Sequence, residues 1–232
     1  MKIFSILPIS LTFLMAASQP ATMQNTEQLL VVTTKNWNTP AATLQRFEKK
    51  GKEWKKTGKT LKVITGKSGL GWGIGLHKVS GKAKYIKREG DGRAPAGIFR
   101  LKNGFGYHPF AISYPYTVYK ETDYCVDDGK SKWYNKIIDS TKVPRDYNSF
   151  EKMKFRKNYY RYGLVVDHNS KAVPGAGSCI FMHIKKPNHI PTVGCTAMSE
   201  SEMKSILRWL DPKRHPLLIQ APESEMKRLL PF

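Results

Sequence analysis

The residues of this 232-residue chain best suited to chemistry are a thiol and an imidazole, Cys195 and His183, a dozen positions apart. An imidazole within hydrogen-bond reach of a thiol takes its proton and leaves a thiolate able to attack a carbonyl carbon. The run Cys179-Ile180-Phe181-Met182-His183-Ile184 reads as a strand. Its two-residue period places Cys179, Phe181 and His183 on one face and Ile180, Met182 and Ile184 on the other. A loop with glycine and proline close by, Lys185 to Val193, then returns the chain to Gly194 and Cys195. A helix starting near Ser199 is expected to lower the Cys195 pKa. The backbone amides of Gly194 and Cys195 are expected to face a developing oxyanion. Spacing alone leaves open a buried structural cysteine beside a hydrogen-bonded histidine.

The elements that must position this pair are mostly strands. Leu29 to Val32 reads as a short buried strand, and Leu44 to Ile64 as a hairpin turning at Lys50-Gly51-Lys52. Glycines crowd Gly66 to Gly75 around Trp72 without forming a phosphate loop. Gly90 to Leu101 reads as a turn feeding a short strand, and Lys120 to Asn135 as a loop. The apolar runs Gly163 to Asp167 and Cys179 to Ile184 suit strands covered on both faces. One helix is signalled: Ser199 and Glu202 form a capping box, Met203, Ile206, Leu207 and Leu210 share a face, and Pro212 stops it. Leu217 to Gln220 closes as a strand. The expected fold is mainly β with few helices (α+β), in one domain spanning 28–222. A linker over 19–27 precedes it and a tail over 223–232 follows.

With 39 Lys and Arg against 18 Asp and Glu, the formal charge is +21, which calls for anionic company. Nucleic acid, anionic lipid and cell-wall polymers all satisfy it. Residues 1–18, MKIFSILPISLTFLMAAS, have the positive start, apolar run and small side chains of an export signal, with an uncleaved anchor as the alternative. Export to the periplasm or cell envelope argues against nucleic acid, as do lysines scattered rather than interleaved with stacking aromatics. Three cysteines are too few for a disulfide scaffold, and the odd number leaves one thiol unpaired.

Four segments occur in order: GDGRAPAGIF, VDDGKSKWYN (Val126 to Asn135), GSCIFMHI (Gly177 to Ile184) and PTVGCTAM (Pro191 to Met198). Together they resemble the L,D-transpeptidase catalytic domain, the YkuD family, over nearly the whole chain after the leader. In that family a cysteine attacks a peptidoglycan stem peptide at the carbonyl of its third, L-configured centre. The terminal D-alanine leaves, and the acyl group passes to an amine of a second stem or to water. The resemblance implies a role in wall biogenesis and cell shape, with Cys195 as nucleophile and His183 as general base. Thr192 and Gly194 match the family's Ser/Thr and Gly. Val193 and Ala197 depart from it, standing where the family carries a histidine and an arginine.

Asp127, Asp128, Trp133, Tyr134 and Asn135 are candidates to line the substrate groove, with an Asx-rich turn as the alternative. Arg93 is a candidate carboxylate contact or an ordinary turn arginine. His168 reads as structural, and His189 as a loop residue or substitute base. Cys125 and Cys179 are either a disulfide or two unrelated buried thiols. The absence of CxxC, HExxH or HxH spacing argues against a metal, and thiol acylation requires no cofactor. Beside transfer to an amine stand two other readings: an L,D-carboxypeptidase using water, and a non-catalytic basic wall-binding module with peripheral envelope association.

Overall fold

The computed structural model describes residues 23–232; the leader over 1–18 and the first part of the linker, through residue 22, lie outside the described residues. Apolar residues recur in short alternating runs, and the chain answers with thirteen described strands and two α-helices. Eight strands form a ring in the order β10 (Tyr162–Val166), β11 (Phe181–Ile184), β12 (Thr196–Met198), β3 (Glu53–Ile64), β2 (Ala41–Lys50), β1 (Gln28–Thr34), β13 (Leu217–Pro222) and β5 (Ala94–Gly106). Pairing of β5 back onto β10 closes the ring into a barrel-like sheet. Strands β4 (Leu70–Trp72) and β6 (Tyr116–Val118) flank β5. A separate antiparallel sheet holds β7 (Asp123–Val126), β8 (Ile137–Asp139) and β9 (Phe150–Lys152).

Strand periodicity sorts the core into two faces. Leu30, Val32, Leu44, Phe99, Met182 and Leu218 belong to one cluster, which helix α1 (Glu200–Trp209) completes with Met203, Ile206 and Leu207. Their chain neighbours Leu29, Val31, Ile98, Leu217 and Ile219 point the other way, toward Met226 and Leu229 of helix α2 (Glu223–Leu229). Burying each such side chain stabilises by about 1.5–3 kcal/mol. Residues 223–232, expected as a tail, therefore contribute to this core. Met23, expected in the linker, is fully buried in it as well.

The hairpin forms as expected, Gly51 taking the left-handed conformation (φ +62°) that its tight turn requires. The Ser199–Glu202 capping box is present at the start of α1. Two expectations are corrected. Lys120 to Asn135 is no plain loop, because Asp123–Val126 pairs with both β8 and β9. Strand β11 starts at Phe181, because Cys179 has φ +54° and breaks the extended run. Among the described residues no helix is long and apolar enough to cross a membrane.

Candidate active site

Strands β11 and β12 run parallel, with Met182 opposite Thr196 and His183 opposite Ala197. That register brings Cys195, the residue just before β12, beside Phe181. The Phe181 N–H donates to Cys195 Sγ at 3.3 Å. His183 lies two residues further along the same face, about 7 Å at the rise of a strand. Cys195 and His183 are each about 5% exposed. Both line one cavity of ≈ 480 Å³, together with Glu151, Phe155, Lys157, Tyr159, Tyr160, Lys186, Ile190, Thr192 and Val193.

His183 Nδ1 lies 2.8 Å from the Ile184 carbonyl oxygen. A carbonyl only accepts, so Nδ1 carries the proton and Nε2 is left as the basic nitrogen. Burial holds the imidazole neutral by pushing its pKa down to about 4, with the nearby Lys186 adding to the effect. Burial also pushes the Cys195 thiol well above its ordinary range, and Glu151 reinforces the rise. The thiol donates to the Cys179 carbonyl at 3.6 Å, a bond available only to the protonated form. Thiol and imidazole thus both rest neutral on the wall of the one cavity. The expected pKa-lowering helix start is not at hand: the three residues of β12, about 10 Å of extended chain, separate Cys195 from α1.

The loop before the thiol is pinned from both sides. Lys67 N–H donates to the Thr192 carbonyl at 2.8 Å, and Thr192 N–H to the Thr65 carbonyl at 3.1 Å. Buried Thr192 spends its hydroxyl on the loop itself, donating to the Cys195 carbonyl at 2.6 Å and accepting from Gly194 N–H at 3.2 Å. Thr192 thus shapes the turn while also lining the cavity, and the Gly194 amide, expected to face an oxyanion, is bonded here to the Thr192 hydroxyl.

The other candidates divide. Cys125 and Cys179 form a disulfide, Cα–Cα 5.9 Å, and Cys195 is the free thiol. Asp127 lines a second cavity of ≈ 230 Å³ that reaches Cys195 from another side. Asp128 instead closes a turn, accepting from the Lys130 and Asn148 amides, which lower its pKa. Tyr134 is buried and donates to Glu89. Asn135 accepts from Cys179 N–H at 2.9 Å and donates to the carbonyls of His168 and Asn169, so it braces the disulfide segment. Arg93 is structural: its guanidinium donates to the carbonyls of Trp37 and Leu70 and to Asn38 Oδ1, and stacks on Tyr85. His168 is buried between the Ile74 amide and the Ala176 carbonyl. His189 belongs to a short 3-10 turn, Pro187–His189, and its side chain lies outside the described residues.

Sequence reasoning missed Glu151 and Tyr160. The Tyr160 hydroxyl donates to Glu151 Oε2 at 2.5 Å, and its ring stands edge-on to His183, centroids 5.2 Å apart. Glu151 sits mid-strand in β9, far from the thiol in sequence, with no local motif to mark it.

Residues 36–219 match the family model YkuD, the L,D-transpeptidase catalytic domain. No curated protein matches the chain. Among solved structures, Bdellovibrio bacteriovorus Bd1075 is similar at 13% identity and a TM-score of 0.42, over 84% of this chain and 47% of that one. The helical cell shape determining protein Pgp2 from Campylobacter jejuni is similar at 12% identity and a TM-score of 0.42, over 84% of this chain and 48% of that one. The chain spans about half the length of both.

Proposed function

This chain belongs to the L,D-transpeptidase (YkuD) catalytic-domain family, and from that premise we propose that it is an exported cysteine acyltransferase of peptidoglycan stem peptides. Cys195 is its nucleophile and His183 its general base. The observation that carries this reading is the placement of a free thiol and an imidazole with an unprotonated Nε2 on the wall of one cavity.

Because both groups rest neutral, proton transfer from Sγ to Nε2 accompanies attack on the carbonyl of the third stem residue. The Phe181 amide at Sγ favours the developing thiolate. Collapse of the tetrahedral intermediate expels the terminal D-alanine, whose nitrogen takes the proton back from His183. The product of this half-reaction is a thioester at Cys195. Transfer to an amine then makes a cross-link, whereas transfer to water makes a shortened stem.

Export rests on the leader-like residues 1–18 and on the location of the substrate. The Cys125–Cys179 disulfide suits an oxidising compartment, and the +21 charge suits an anionic envelope.

The test is intact-mass analysis after incubation with a tetrapeptide stem. Wild-type protein should gain the mass of the acyl group, and Cys195→Ala should gain nothing. An equal adduct on Cys195→Ala would falsify the nucleophile assignment. Sacculus binding without acylation of the wild type would instead favour the basic wall-binding module.

A further inference from the structure

The cavity of ≈ 480 Å³ and the cavity of ≈ 230 Å³ approach Cys195 from different sides, and their linings have three residues in common: Glu151, Val193 and Cys195 itself. Glu151 is therefore the one carboxylate that borders the nucleophile from both. The two chambers differ in charge. The larger carries Lys157, Lys186 and His183 among aromatic rings. The smaller gathers Glu89, Asp127 and Glu151 with Lys67 and Lys87. Lys87 is already tied to Asp91 at 2.7 Å, whereas Asp127 Oδ1 is buried with no hydrogen-bond partner. In a chain of +21, a chamber with three carboxylates beside the nucleophile is set against the overall charge.

We propose that Glu151 is a catalytic base for the second half-reaction, removing a proton from an ammonium acceptor that enters through the carboxylate-lined chamber. This inference rests on the acyltransferase reading and deepens it by assigning the group that deprotonates the amine acceptor and the chamber through which that acceptor enters.

An amine in water near neutral pH is an ammonium, whose nitrogen has no lone pair. The Glu151 carboxylate takes one proton, and the freed nitrogen attacks the thioester carbonyl. The C–S bond breaks as the C–N bond forms. A second proton passes from nitrogen through His183 to Sγ and restores the thiol. The proton on Glu151 leaves to solvent, so ammonium plus thioester gives amide, thiol and one released proton. Water as acceptor needs no such preliminary loss, so Glu151 acts selectively on aminolysis.

The carboxyl is suited to the task. Burial above all, with Asp127 and Glu89, raises its pKa to about 7, against the Tyr160 hydrogen bond and Lys186, which lower it. The other ionisable groups on the walls of the two cavities it borders are Lys67, Lys87, Lys157, Tyr159, His183 and the Cys195 thiol. Such a group is a carboxylate above neutrality and returns its proton readily.

The experiment uses the full chain, a tetrapeptide donor and glycinamide as acceptor, reading the ratio of amide to hydrolysed product across pH. In the wild type the ratio should fall as pH drops through about 7. Glu151→Gln should lower it roughly a hundredfold and replace the limb at about 7 with the fall set by the acceptor's own ionisation, read on whatever thioester forms. Tyr160→Phe removes a bond that lowers the Glu151 pKa, so it should move the limb to higher pH; a merely structural role would not. An unchanged ratio and profile in Glu151→Gln overturns the proposal while leaving Cys195 as nucleophile. Failure of wild-type protein to form any thioester overturns the acyltransferase reading first, and this one with it.

Discussion

Removing the Cys125–Cys179 disulfide is expected to destabilise the fold by roughly 4 kcal/mol. The bond joins residues 54 apart in sequence, and the loop-closure entropy that a cross-link of that span removes from the unfolded chain corresponds to about 4 kcal/mol at room temperature. For a protein of this length the melting temperature should fall by roughly 8–16 °C. A second effect is local. Cys179 is held at φ +54°, a conformation costing a non-glycine residue about 1–2 kcal/mol, and there its carbonyl accepts the Cys195 thiol proton. Once uncoupled, Cys179 is free to relax toward the extended region. The thiol then loses the acceptor that favours its protonated form, and Cys195 should alkylate faster. The assay is a Cys125→Ala/Cys179→Ala double variant, in which Cys195 is the last thiol, followed by urea unfolding and by iodoacetamide kinetics. A stability loss under about 1 kcal/mol would refute the loop argument. An unchanged alkylation rate would refute the link from the Cys179 carbonyl to the thiol.

Two further outcomes follow from the buried polar groups. Arg93→Ala deletes a guanidinium that bonds Trp37, Leu70 and Asn38; it should cost roughly 2–3 kcal/mol in urea unfolding, with the thioester yield of the surviving folded protein unchanged. A fall in yield at wild-type stability would return Arg93 to the substrate. Burial pushes His77, His168 and His183 down to about 4, against about 6.5 in an unfolded chain. Their contribution to stability is present above pH 6.5 and lost as pH falls toward 4. Glu151 acts in the opposite sense across that window, since its raised pKa means that unfolding releases its proton. Three protons gained and one lost give a slope of at most about 2.7 kcal/mol per pH unit. Urea midpoints that stay level from pH 6.5 to 4.5 would contradict it.

How much of this was legible in the sequence follows from how local each signal is. The hairpin, the capped helix and the twin-faced apolar strands are written in neighbouring residues, and all three formed. Cys195 and His183 were singled out by spacing together with the family resemblance, and the register of two adjacent parallel strands puts both on one cavity. Glu151 and Tyr160 were not, since β9 reaches the thiol only through the packing of the small sheet against the barrel. The local bonds of Arg93, Thr192 and Gly194 were not legible either. Residue type marks a group as able to bind substrate but not what it is already bonded to: Arg93 meets the carbonyls of Trp37 and Leu70, far away in sequence, whereas the Thr192 hydroxyl bonds Cys195 and Gly194 within its own segment.

The two departures from the family segment sit in opposite environments, which limits what each can change. Val193 is 64% exposed and borders both chambers, so an imidazole or an isopropyl group fits there without disturbing the barrel. Ala197 is 1% exposed, between Ile64 on one strand and His183 on the other. A guanidinium there would be buried beside an aliphatic side chain and an imidazole held neutral by burial, and its desolvation would be costly. The cations of the site stand instead on the wall of the larger cavity, as Lys157 and Lys186. On the proposed reading they meet the carboxylates of the stem peptide. A lysine is a mobile point charge where arginine offers a fixed two-pronged fork. On that reading the donor is held by charge more than by geometry, and the placing of the thiol falls to the pinned loop and the Phe181 amide at Sγ.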